Sequence, residues 1–271
     1  MPHPLKKVRS YSDLMERWSR SAEGVKGIER RLLGKVRTKR ASYPFWMATT
    51  PSGSRKRQIC LTGGIHGDEP SGVEAILGAM RLLKANPLLM SRFHLTIFPC
   101  VNPIGYEYDI RGNGSGQDLN RQFNLRRPLS EVRFIREALK GRRFDLALEF
   151  HEDVDTPGFY LYELWKDKKV RMGETIVREV AKKYPVNRAD MIDGFPADRG
   201  MIRLMASDPR FMKRMARRRQ WPMAIYLFMN GTSHCITSET PLHLKMSDRV
   251  DIHLSVLKTA LKRLSFCTTR P

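Results

Sequence analysis

The sequence predicts an α/β fold, a mixed and largely parallel sheet sandwiched by helices. Three observations carry this expectation. Short apolar runs bounded by Gly, Pro and Asn recur along the chain and alternate with stretches of helical periodicity. Strands alternating with helices are the pattern of a sheet covered by crossover helices. Three of the apolar runs also end in polar residues of catalytic type, as in open α/β sheets, where ligands gather at the carboxyl ends of strands. A chain of 271 residues that is 41% hydrophobic can bury one substantial core.

The elements follow in order. Ser12 and Asp13 stand where a helix start needs capping side chains, and the helix is read as far as about Arg31. Residues 1–40 are accordingly expected to form a basic helical extension packed on a single domain of residues 41–271. Residues 36–57 read as an edge hairpin turning at Pro51, Ser52 and Gly53. QICLTGG, residues 58–64, is a buried strand, and Pro70 suits the first turn of the helix that follows. FHLTIFPC is a second strand, succeeded by a long loop from Asn102 to about Pro128; ordered loops of that length in a compact domain are usually functional. Next come a helix near Glu131 to Lys140, the strands FDLALEF (residues 144–150) and GFYLYEL, and the helix VRMGETIVREVAKKY. AIYLFM and HCITSE read as strands, and an amphipathic helix from about Ser247 to Leu264 closes the chain.

No run approaches the ~18 uninterrupted apolar residues of a membrane span, and the basic start lacks an apolar segment behind it. The expected compartment is the cytoplasm. Cys60, Cys100, Cys235 and Cys267 show no paired spacing and read as free, mostly buried thiols. The formal charge of +21 attracts nucleic acid, anionic lipid or acidic substrates. Its densest patch, residues 211–221, reads as a helix with Met212 and Met215 inward and a solvated basic face, rather than a dedicated nucleic-acid surface.

The chemistry concentrates at the strand ends. QICLTGG runs into His66 and Glu69, DLALEF into His151, and HCITS into Glu239. The His-x-x-Glu spacing places two ligand-type side chains within one turn at the mouth of a helix, and His151 follows 85 residues after His66. Two imidazoles and a carboxylate leave one tetrahedral position open, the arrangement of a catalytic zinc. Glu239 is the candidate base for water at that position. Asn120 and Arg121 sit in the long loop, and Arg111 precedes them; one guanidinium can clamp a carboxylate while another stabilises an oxyanion. Asp68 and Glu152 flank the ligands, either as acceptors orienting imidazoles or as solvated carboxylates.

Together, GIHGDEPSG, QDLNRQF, LEFHEDVD and CITSETP resemble the zinc carboxypeptidase family over roughly residues 55–245, in the family's order. The family is meant broadly, with carboxypeptidase A, the murein-peptide amidases, and the aspartoacylase and succinylglutamate desuccinylase branch. The resemblance implies one zinc per chain on His66, Glu69 and His151, with Glu239 as catalytic glutamate. It also implies a grip on a terminal carboxylate by Asn120 and Arg121, and polarisation of the scissile carbonyl by Arg111. The gap from Arg111 to Asn120 is closer to that of the deacylase branch. No tyrosine matches the family's mobile tyrosine unambiguously: Tyr226 reads as core, and Tyr160 and Tyr162 either cover the substrate or pack the sheet.

Three functions follow in order of expectation. The first is a metallocarboxypeptidase or amidase that hydrolyses an amide beside a free carboxylate terminus, acting on a peptide or an acidic small molecule. The second is an N-acyl-amino-acid deacylase. The third, from the charge alone, is a polyanion-binding protein on a vestigial hydrolase fold.

Overall fold

The computed structural model describes residues 6–54, 56–166, 171–205, 213, 215, 217 and 220–266. Strand β5 (Leu146–Asp153) is buried at every position but the last, so both of its faces need cover and it must lie inside a sheet. It pairs in parallel with β3 (Arg57–Gly63) on one side and with β10 (His234–Pro241) on the other. The remaining strands are β1 (Glu29–Arg37), β2 (Ser42–Thr49), β4 (Phe93–Phe98), β6 (Tyr160–Trp165) and β9 (Met201–Met205). They complete an eight-stranded sheet of order β1-β2-β4-β3-β5-β10-β6-β9. Pairing is parallel from β4 through β10 and between β6 and β9, and antiparallel at β1-β2, β2-β4 and β10-β6. β7 (Met191–Ile192) and β8 (Phe195–Pro196) form a separate small hairpin.

Side chains alternate across the sheet and divide the core in two. Ile59, Leu61, Leu146, Leu148, Phe150 and Ile236 pack beneath α2 (Pro70–Ala85), α6 (Gly173–Val180) and the closing helix α8 (Met246–Phe266). Cys60, Ala147, Leu164 and Cys235 face the other way, against α1 (Tyr11–Glu23), α5 (Ser130–Leu139) and α7 (Met223–Met229). Two short helices, α3 (Pro87–Arg92) and α4 (Pro103–Tyr108), flank β4. By the two-residue period, His151 and Glu149 lie on the second face with Ala147, above which the site opens.

The structure departs from the sequence expectation in four places. Helix α1 is capped by Ser10 and stops at Gly24 rather than running to Arg31, and beyond it Gly27 takes a left-handed φ of 73° that a continuing helix does not allow. Residues 29–37 then pair with β2 as an edge strand, so residue 40 falls in a hairpin turn held by Thr38 Oγ1, which accepts from the Ala41 N–H at 2.9 Å. That edge hairpin thus turns at Thr38–Ala41, not at Pro51–Gly53. The run AIYLFM is helical, since a short apolar segment buried all round has no period that separates strand from helix. The long loop holds α4 and a 3-10 turn at Leu119–Arg121.

Cys60, Cys100 and Cys235 are buried and free, whereas Cys267 lies outside the described residues. Of the basic stretch 211–221, Met215 is buried and Lys213 and Arg217 are exposed; Met212, Arg214, Arg218 and Arg219 lie outside the described residues. Among those described, no helix is long and apolar enough to cross a membrane.

Candidate active site

β3 delivers the chain to a sharp turn at Gly64, whose φ is 65°, and the segment 65–69 then enters α2 with Glu69 as N-cap and Pro70 in the first turn. Gly67 sits against the backbone of Gly105: a Cβ there would lie 1.9 Å from the Gly105 carbonyl carbon. This close approach brings the long loop onto the ligand-bearing turn. Gly67→Ala is therefore expected to destabilise the fold by about 1–3 kcal/mol or more, because backbone rather than a flexible side chain must move. Thermal denaturation measures this; an unchanged midpoint would show that the two segments part freely.

His66, Glu69 and His151 are all buried, and one ligand atom from each lies within 4.8 Å of the others. Glu69 is central. Its Oε1 faces His66 Nδ1 at 2.6 Å and accepts from Arg111 at 3.1 Å. Its Oε2 faces His151 Nδ1 at 2.9 Å and accepts from the Glu152 N–H at 3.1 Å. The far nitrogen of His66, Nε2, is 3.2 Å from Asp118 Oδ1, which fixes the ring with Nδ1 turned toward the cluster. Two imidazole nitrogens and a carboxylate converging in a buried setting form a donor set that fits zinc.

The electrostatics bind the cluster together. Burial opposes ionisation of Glu69, but His66 and His151 overcome it and hold the carboxyl well below the usual range. Burial likewise disfavours a charged His151, yet Glu69, Glu239 and Glu149 push it well above the ordinary histidine value. Asp118 is lowered to about 2 against its burial, by His66, Arg121 and Arg111. Glu239 moves the other way, to about 8, through burial and the carboxylates of Glu69 and Asp153, opposed by His151 and Arg111. A cation at the ligand cluster draws such a carboxyl back down.

β10 places Glu239 directly opposite His151 in the parallel register and opposite Tyr160 in the antiparallel one. All the residues singled out from the sequence line one cleft of about 690 Å³: His66, Glu69, Arg111, Asn120, Arg121, His151 and Glu239. Asn120 is buried, and its Oδ1 accepts from the Met223 N–H at 2.8 Å, tying the loop to the start of α7. Arg121 donates to the Asn120 carbonyl at 3.0 Å and is partly open to the cleft. Arg111 is half exposed and leans on Glu69, beside the ligand cluster.

Comparison with known proteins agrees with this geometry. The family model described as succinylglutamate desuccinylase/aspartoacylase catalytic domain matches residues 55–187. Murein peptide amidase A of Escherichia coli (strain K12) is 40% identical over 80 residues, 30% of this chain and 31% of that protein. Carboxypeptidase SOL1 of Arabidopsis thaliana is 34% identical over 107 residues, 33% of this chain and 21% of that protein. In these matches the chain resembles the zinc carboxypeptidase-like family. A crystal structure of a candidate metallopeptidase of Shewanella denitrificans OS217 shares the fold, with a TM-score of 0.75 at 20% identity, covering 92% of this chain and 88% of that one. The matched segments span less than a third of the length of these two curated relatives.

Within this carboxypeptidase-like frame, Asp118 is a site residue that the sequence did not single out. Asp118 orients His66, whereas Glu152 instead accepts from the Ser71 N–H and pairs with Arg249, and Asp68 Oδ1 has no hydrogen-bond partner among the described residues. Asp118 lay in view in QDLNRQF, but only its position two residues before Asn120 hinted at it. Tyr160 and Tyr162 line the cleft, donating to Asp153 Oδ2 at 2.9 Å and Asp193 Oδ2 at 2.6 Å, while Tyr226 packs on Phe123.

Proposed function

We propose that the chain is a zinc-dependent metallocarboxypeptidase or amidase that hydrolyses an amide bond next to a free carboxylate terminus. The observation that carries this reading is the buried His66, Glu69 and His151 cluster opening into the same cleft as Glu239 and Arg121. Zinc held by these three residues supplies Lewis acidity, polarising the carbonyl and making water easier to deprotonate. Glu239, beside His151 on the neighbouring strand, takes a proton from the attacking water and returns it to the leaving amine. Arg111 offers a guanidinium to the developing oxyanion, and Arg121 with the Asn120 amide grips the terminal carboxylate.

The family model's description favours a second reading on the same residues, an N-acyl-amino-acid deacylase. Matched free-acid and C-terminally amidated peptides, with N-acyl amino acids alongside, separate the two. Under the first reading amidation leaves Arg121 without its anion, so cleavage falls at least about tenfold, and Arg121→Lys does not restore the planar two-bond grip. Equal rates on both peptide forms refute the carboxylate grip, and hydrolysis confined to N-acyl amino acids moves the assignment to the deacylase. A zinc-loaded protein that cleaves neither class and binds only polyanions, in a salt-dependent way, belongs to the third class.

A further inference from the structure

The cleft is lined beside the ligand cluster by a row of side chains from the sheet. Two residues before His151 on β5, and so on the same face, stands Glu149; Thr237 of β10 is its register partner. Glu149 is 3% exposed and lines the cleft. Its Oε1 has no hydrogen-bond partner among the described residues, and its Oε2 is 3.7 Å from His151 Nε2, beyond hydrogen-bond reach. No described Lys or Arg pairs with it. Three other buried glutamates are provided for: Glu163 by His234 and the N–H groups of Met172 and Gly173, Glu107 by Tyr43 and Lys7, Glu152 by Arg249 and Ser71; Glu131 shares an unpartnered Oε1 but does not line the cleft.

The nearest cationic group to Glu149 is the His151 imidazole, which reaches neither oxygen with a hydrogen bond, so a ligand that brings an ammonium or guanidinium to Oε1 satisfies an acceptor left unpaired among the described residues. The walls around Glu149 suit such a ligand. Leu164, Leu204, Met215 and Ile225 line the same cleft and belong to one apolar cluster, a lining for methylene groups rather than for a second charge. Among the described residues, acidic side chains also outnumber arginines nine to four in the cleft's lining, although the whole chain carries a formal charge of +21. The local field therefore opposes the global one and disfavours an acidic side chain in this pocket.

We propose that Glu149 is the specificity residue of the cleft, selecting substrates whose terminal residue ends in an ammonium or guanidinium on an aliphatic stem. The inference rests on the proposed reading of the site, with the terminal carboxylate at Arg121 and the side chain reaching inward to Glu149. The competing role for Glu149 is to orient His151 without reading substrate.

Calorimetric titration of the zinc-loaded protein with L-lysine, L-arginine, L-norleucine and L-glutamate decides between them, because norleucine keeps the lysine stem without its charge. Lysine or arginine is expected to bind at least about tenfold tighter than norleucine, with glutamate weakest, and Glu149→Gln is expected to collapse the lysine-to-norleucine ratio toward one. Norleucine or glutamate binding as tightly as lysine in the wild type overturns the proposal whether or not the variant folds, as does a failure of lysine and arginine to bind. An intact ratio in Glu149→Gln, with all affinities falling together, assigns Glu149 to orienting His151. Since the readout is binding, a protein that selects lysine through Glu149 yet hydrolyses no peptide refutes the proposed reaction and not the pocket.

Discussion

Glu239→Gln is expected to cut turnover by roughly 10²–10⁴-fold, the usual contribution of a positioned acid or base, while zinc content and substrate affinity stay close to wild type. Glu239 lies outside the His66, Glu69 and His151 cluster, so an amide in its place removes no ligand; it stands opposite His151 across the β5-β10 pairing, where it faces the cleft. The amide is nearly isosteric with the carboxyl but has no basic oxygen with which to accept a proton. Loss confined to kcat, with KM little changed, is the signature of an interaction made in the transition state. Wild-type turnover in the variant would leave Glu239 as a structural carboxylate.

His151→Ala, and separately His66→Ala, is expected to take bound zinc from about one per chain to a small fraction of that without unfolding the protein. Three protein ligands are the minimum of a catalytic zinc site, and losing one leaves an imidazole and a carboxylate. The fold survives because its two cores are built from apolar side chains on either face of the sheet, not from the metal. Elemental analysis of the purified variants checks this, with circular dichroism as the control for folding. Full zinc occupancy in His151→Ala would remove that residue from the site. Loss of zinc together with loss of fold would make the metal structural.

Much of the architecture was legible because the central strands declare themselves. QICLTGG, FHLTIFPC, DLALEF and HCITSE are apolar runs too short for helices, and all became strands. AIYLFM has the same look and became α7, since nothing local records that Pro222 and the Asn120 contact start a helix there. The stretch ERRLLGKVR was hidden for the opposite reason: its residues are mostly exposed, and an edge strand needs little apolar patterning. At the site, ligand-type residues at strand ends were visible, because the direction of a strand tells where its end points. Asp118 and Glu149 were not. A carboxylate in a loop acquires a role only when the fold sets it against one particular imidazole nitrogen, and a glutamate inside an apolar strand only when the pleat aligns it with His151.

Metal-assisted hydrolysis beside a free carboxylate is tested most directly by one experiment. The rate of cleavage of a single free-acid peptide and its amidated twin is followed on the protein as purified, after chelation, and after restoring about one equivalent of zinc. The account predicts cleavage of the free-acid peptide at least about tenfold faster than its twin, loss of that activity on chelation, and its return with zinc. Undiminished cleavage by the fully chelated protein, or equal cleavage of both peptides, would contradict it.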